Sequence, residues 1–276
     1  MVRSITDADR QHAPESLKGK LTTTDSTGKE TLINYDGDVL LEYKLPYRLK
    51  LVSPMEGAPV DWPSDLLVPG ELQETATRLR FSLMLAVDRE NRAQLVQTWT
   101  HFDEPLMGGM SWNDPRLGSG IVPMQLTQAE VVSWQEWYDM MAELPVAKVD
   151  LAVTRVLRAI AERREPSDVL IDSVIAWESL FGTKDGEPTF RVTMCIAKLL
   201  EGSVESRLAL KARLGKIYSL RSKVVHGSGM IDQKEIPMCH EALDVAVRLL
   251  KVLIAERPDI ITLADGAARS ARLLLE

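Results

Sequence analysis

The alternation of apolar and polar positions divides the chain into two unlike parts. From residue 127 onward, apolar residues recur at three- and four-residue spacing in one segment after another, the repeat that places them on one side of an α-helix. "LTQAEVVSWQEWYDMMAEL" (126–144) opens with Thr127 and Glu130 in the spacing of a capping box, and Trp134, Trp137 and Met141 make one apolar stripe. A second helix is expected over 147–163. Ser167 reads as the cap of a third, 168–181, which Gly182 ends, and Pro188 suits the first turn of a fourth, closing near Leu200. Ser203 caps a fifth that runs to His226, with Gly227 as its stop. Pro237 lies in the first turn of a sixth, ending near Arg257, and a short final helix covers 263–275.

Upstream the pattern is different. Residues 1–30 are polar and rich in Thr, Ser and Asp, and are expected to be poorly ordered at first. "TLINYDGDVLLEYKLPYRLKLV" (31–52) has β-type composition, with Asp36–Gly37 as a turn signal between two candidate strands, and Pro46 argues against a long central strand. A Pro- and Gly-containing loop follows at 53–70, and 71–99 reads as helix, broken near Asp88. The stretch 101–123 holds Pro105, Gly108, Gly109, Pro115, Gly118 and Gly120; it is the longest irregular segment and the expected boundary. The expected fold is therefore mainly α. An antiparallel helical bundle over 125–276 follows a smaller mixed α/β region over 1–124 that contains short strands and has room for a regulatory role.

Two helices break their own pattern. On a helical wheel of 203–226, Leu210, Leu214, Ile217, Val224 and Val225 gather on one face, and Arg221 falls within it. On "SDVLIDSVIAWESLFG", Ile171, Val174, Ile175 and Phe181 define the stripe, and Glu178 lands in its middle. Each helix thus carries one charge where an aliphatic residue is expected, and the charges are opposite. One reading is structural: a buried Glu178–Arg221 ion pair, or an arginine that snorkels along the stripe. The other is functional: Glu178 orients Arg221 so that a rigid guanidinium is presented to a phosphate. His226 lies five positions after Arg221, about 140° round the helix, so the two do not share a narrow face of one chain unless the terminal turn tightens or a second copy faces the first. A lone histidine at a helix C-terminus is more often a cap than a catalyst, but this one comes with a misplaced arginine on the most basic helix of the chain.

Charge sharpens this picture. The chain has 33 Lys+Arg against 40 Asp+Glu, a net −7, which argues against a protein that coats nucleic acid through a basic surface. Residues 1–150 carry 14 basic against 23 acidic side chains, and 151–276 carry 19 against 17. Within 203–229 the balance reverses: Arg207, Lys211, Arg213, Lys216, Arg221 and Lys223 stand against Glu205 alone. Cys195 and Cys239, the only cysteines, form neither a disulfide framework nor a metal-ligand spacing. "MVRSITDADRQHAPES" has no apolar centre of the kind a signal peptide needs, and no apolar run reaches the ~18 residues of a membrane span. A reduced, cytoplasmic protein with no membrane association is expected.

"YSLRSKVVHG" (218–227), with "IAWESLFG" (175–182) upstream and the helix between them, resembles the HEPN (higher eukaryotes and prokaryotes nucleotide-binding) superfamily, in its Apea-like branch. The resemblance covers roughly 125–257 and carries an Arg-x4-His motif in Arg221 and His226. It implies a helical bundle that dimerises about a two-fold axis and brings two Arg–His motifs into one cleft, where many members cleave RNA without metal. The position after the motif arginine is often Asn, Asp or His in active members; here it is Ser222, which has neither their charge nor their amide contacts. Tyr218, Ser222, Lys223 and Glu178 stand as supporting candidates, and Lys211, Arg213 and Lys216 as RNA-binding candidates. The implied activity is a metal-independent endoribonuclease of prokaryotic defence or toxin–antitoxin systems. It would be homodimeric, acting on RNA with no cofactor, with an antitoxin or regulatory partner. The alternative is an inactive HEPN-like dimer that binds RNA or a nucleotide, or scaffolds a partner.

Other signals are weaker. Gly28–Lys29 lacks the earlier glycine of a phosphate loop, since Thr23 stands there, and Glu30 follows the lysine. Cys239 and His240 are adjacent rather than spaced as metal ligands, so no metal site is expected. His12 and His101 have no evident catalytic partner, and Trp134 and Trp137 read as packing rather than as a base-stacking platform.

Overall fold

A computed structural model of the chain describes residues 2–4, 6, 20–24, 30–34, 39–41, 68–87, 97–102, 108–113, 126–161, 163, 165–183, 188–227 and 231–276. Asp36, Gly37, His12, Gly28 and Lys29 lie outside these residues. The contacts divide into two compact units, one of 1–76 with 95–123 and one of 77–94 with 124–276.

In the first unit three antiparallel strand pairs are formed: β1 (Val2–Ser4) with β4 (Val39–Leu41), β2 (Lys20–Thr24) with β3 (Glu30–Asn34), and β5 (Gln97–Phe102) with β6 (Gly108–Asn113). Two expectations change. The segments flanking Asp36–Gly37 pair with other strands, not with each other. The helix expected to 99 ends as α1 (Val68–Ala86), and "QTWTHF" joins a ladder that also takes part of the stretch expected to be irregular. Thr, Trp and Phe alternate there, and such side chains favour a pleated strand over a helix.

The second unit is helical: α2 (Gln128–Glu143), a 3-10 turn (Val146–Val149), α3 (Asp150–Ala161), α4 (Pro166–Phe181), α5 (Pro188–Leu200), α6 (Val204–Val225), α7 (Ile236–Ala255), α8 (Pro258–Ile261) and α9 (Gly266–Leu275). Side-chain caps mark the starts of α2, α6 and α9. Thr127 and Glu130 close the capping box reciprocally, Glu130 Oε2 accepting from Thr127 N–H at 2.8 Å and Thr127 Oγ1 accepting from Glu130 N–H at 3.2 Å. Ser203 and Ser206 do the same for α6. α4 starts one residue ahead of the expected cap: Pro166 takes the first helical turn, so Ser167 lies inside the helix and Glu165 is the cap.

α4 is the hub, packing against α3, α5, α6, α7 and α9. Its sequence explains the position, because apolar or small residues lie all round it: Val169, Leu170, Ser173, Val174, Ala176, Trp177, Leu180 and Phe181 are all buried. Trp134 joins α2 to the helical segment that precedes it in the same unit, its indole N–H donating to Ser82 Oγ at 3.0 Å. At the far end α9 approaches α4 closely, and a Cβ at Gly266 would lie 2.7 Å from the Gly182 carbonyl oxygen. Gly266→Ala should therefore cost about 1–3 kcal/mol in urea unfolding. Gly215, in mid-α6 with nothing within 4 Å of an added Cβ, should gain about 0.5–1 kcal/mol on replacement by Ala.

Candidate functional site

The six basic residues of the α6 segment have separate fates. Arg213 grips Glu241 of α7 with a forked contact, its Nε 2.7 Å from Oε2 and its terminal nitrogen 2.6 Å from the same oxygen. Lys223 pairs with Glu235 at 3.2 Å. Arg207 Nε donates to the Glu201 carbonyl at 2.8 Å, and the Lys211 ammonium lies 4.5 Å above the Phe190 ring. Lys216 is exposed and, with Ser219 and Lys223, lines a shallow groove beside Glu235. Three of these side chains thus already have an oxygen partner within the chain.

Arg221 is placed otherwise. Ile217 and Leu214, one and two turns before it, are fully buried, and the guanidinium emerges half-buried at the edge of this face. Its Nη2 lies 3.7 Å from Glu178 Oε2, an ion pair too long for a hydrogen bond, and its Nε is buried without a partner. The two charges that the wheels singled out do face each other. Glu178 sits at the rim of α4 rather than in the middle of a stripe, its side chain 36% exposed. Burial nonetheless lifts its carboxyl above the ordinary carboxylate range, and the opposing pull of Arg221 is the smaller effect.

Tyr218, one turn before Arg221, is buried and packs against Trp177, with ring centroids 5.9 Å apart and planes tilted by 56°. Its hydroxyl has no hydrogen-bond partner. Burial holds the phenol far above its usual range; the Glu178 carboxylate adds to that effect and Arg221 opposes it. The hydroxyl therefore lies within the field of both charges.

His226 ends the helix. Its backbone N–H donates to the Ser222 carbonyl at 3.0 Å, Gly227 follows at φ 69°, and the imidazole is exposed. Because α6 stays helical to Val225, no tightened turn carries His226 round to Arg221, and the helical repeat sets the two positions about 140° apart. Ser222 is exposed, as is Val225, which the wheel had counted with the apolar face.

Two buried charged residues have no part in the sequence analysis. Asp172 is 1% exposed and held by Arg155 at 2.7 Å and Arg163 at 2.6 Å. Arg269, 2% exposed, donates to the Lys148 carbonyl at 2.7 Å and, at 3.4 Å, to the Ser179 and Leu180 carbonyls in the last turn of α4. Trp177 enters the sequence analysis only within "IAWESLFG", with no role of its own. Asp172 alone left a signal, a carboxylate in an apolar run like the one that flagged Glu178. Among the described residues no group of three His, Cys, Asp or Glu side chains is placed to hold a metal ion, and no helix is long and apolar enough to cross a membrane.

A carboxyl with a raised folded-state pKa destabilises the fold once it ionises. The penalty is absent below the unfolded-state value and grows as pH rises through the raised one. Glu178→Gln should therefore melt at or above wild type at pH 7, and the difference should shrink at pH 4, as read by circular dichroism. Comparison of the chain with protein-family models, with curated proteins and with solved structures finds no match.

Proposed function

We propose that this protein is a metal-independent endoribonuclease of the HEPN type that works as a homodimer. Its place would be that of an effector in prokaryotic defence or toxin–antitoxin systems, in the cytoplasm and under the control of an antitoxin or regulatory partner. The observation that carries the reading is the state of Arg221. It is a half-buried guanidinium facing Glu178 at 3.7 Å with no hydrogen bond between them, on the helix whose end exposes His226.

The chemistry fits these groups. The RNA 2′-hydroxyl attacks the adjacent phosphorus, the P–O5′ bond breaks, and the products are a 2′,3′-cyclic phosphate and a 5′-hydroxyl. One histidine takes the 2′-hydroxyl proton and another gives a proton to the departing 5′-oxygen, work suited to a group that titrates near neutrality. Arg221 meets the charge that builds on the non-bridging oxygens. Since Arg221 and His226 diverge within one chain, the second copy supplies the missing partner. Glu178 holds Arg221, Tyr218 backs it, and Ser222 and Lys223 flank it. Lys216 and Lys211 meet the RNA backbone, and Arg213 joins them only by leaving Glu241.

A second reading has its own support. The saturation of Arg213 and Lys223 inside the chain, together with the net −7, favours a HEPN-like dimer that binds RNA or a nucleotide, or scaffolds a partner, without cleaving. With purified protein and labelled RNA, Arg221→Ala and His226→Ala should each reduce cleavage at least about a hundredfold, the usual contribution of one acid–base or electrostatic group. Their thermal melts should stay close to wild type, and a chelator should change nothing. Undiminished cleavage by His226→Ala overturns the nuclease reading, and RNA binding without cleavage by wild type selects the second.

A further inference from the structure

Among the described residues five buried side-chain polar atoms have no hydrogen-bond partner, and three of them cluster: Trp177 Nε1 on α4, and Tyr218 Oη and Arg221 Nε on α6. A buried polar atom left without a hydrogen bond is destabilising, so a single orphan asks for an explanation and a cluster asks for a common one. The Tyr218 hydroxyl is the informative member. Phenylalanine would fill the same space beside Trp177 without that cost, so the hydroxyl is expected to find its acceptor in another arrangement of the site. The Glu178 carboxylate is the acceptor that the geometry offers: Glu178 follows Trp177, whose ring packs on Tyr218, and it faces Arg221 one turn further along α6. That carboxylate is engaged with Arg221 too loosely to hydrogen-bond, and over a third of its side chain is exposed, so it has freedom to turn.

We propose that the α4–α6 seam is a latched oxyanion site. In the free protein Glu178 covers the Arg221 guanidinium. When a phosphate group takes that guanidinium, the Glu178 carboxylate turns to accept the Tyr218 O–H, which removes a negative charge from beside the anion. The ligand class is a phosphate ester or inorganic phosphate with at least two free oxygens, matched to the guanidinium fork. Tyr218 is a positioning residue in this scheme, since it acts on the phosphate only through Glu178. The inference rests on the reading of Arg221 as the phosphate-holding group, and not on cleavage.

The probe is inorganic phosphate, titrated into the full chain while the assigned Trp177 indole N–H resonance is followed by NMR. Phosphate should move that resonance in wild type and leave it unmoved in Arg221→Ala. Tyr218→Phe, which removes an orphan hydroxyl and should melt no lower than wild type, should weaken phosphate binding about fivefold, the order of one hydrogen bond to a charged group. In a Glu178→Ala background, where no carboxylate needs a new partner, the same change should alter affinity by less than about twofold. A Tyr218→Phe cost of equal size in both backgrounds overturns the latch, and so does a Trp177 resonance that phosphate does not move. The two readings fail separately. A chain that shows the coupling but leaves RNA intact keeps the latch and loses the nuclease, and one that cleaves through His226 with additive effects does the reverse.

Discussion

The charges of α4 answer to one constraint, the burial of that helix on nearly all sides. A helix packed against five others has little solvent to turn a charge toward, so a buried charge on it is met by another element. Asp172 is met by two arginines at hydrogen-bonding distance, and the carbonyls of the last turn receive the Arg269 guanidinium. Glu178 is met differently. It reaches the rim, keeps partial contact with water, and faces an arginine that does not hydrogen-bond to it. The fold shows elsewhere that it can bind a carboxylate tightly, so the looseness at Glu178 is a property of that place and not of the bundle.

α6 repeats the contrast from the other side. It is the most basic segment of the chain, yet Arg213 and Lys223 are each matched by an acid of α7 or the turn before it, and Arg207 by a carbonyl. Nucleic-acid affinity that depends on neutralising many phosphates needs many unengaged cations, and each one spent internally removes one such contact. A helix with few cations to spare gains little from general attraction to RNA. Whatever it holds must be held through the geometry of a few groups, which puts the weight on Arg221.

The sequence told much of this in advance, and where it failed the reasons are physical. Helix positions in 126–275 were legible because caps and stops are local: Thr127, Ser203, Gly182 and Gly227 act on their own turns. The Glu178–Arg221 pair was legible because a charge in an apolar stripe violates a period that can be counted. Trp177 and Arg269 were not, because their meaning lies in contacts with residues far along the chain: Tyr218 for the one, Lys148 for the other. A stripe also implies one buried face, and α4 has no single face, so the wheel misplaced Glu178 at its centre. The strand at 97–102 was lost to its helical neighbour, since a short alternating run has little weight beside a long periodic one.

The divergence of Arg221 and His226 carries the proposed reading one step further. If two copies meet so that the arginine of one serves the histidine of the other, two half-buried guanidiniums approach across the two-fold axis, and their repulsion opposes assembly. A carboxylate beside each arginine lowers that repulsion while the cleft is empty. A phosphate entering the cleft supplies negative charge of its own, and from then on Glu178 competes with it for the same guanidinium. The residue that makes the empty dimer tolerable is therefore the one that must give way when the ligand arrives. A pair closed at hydrogen-bonding distance, like those at Asp172, would resist that exchange; the 3.7 Å separation leaves it open.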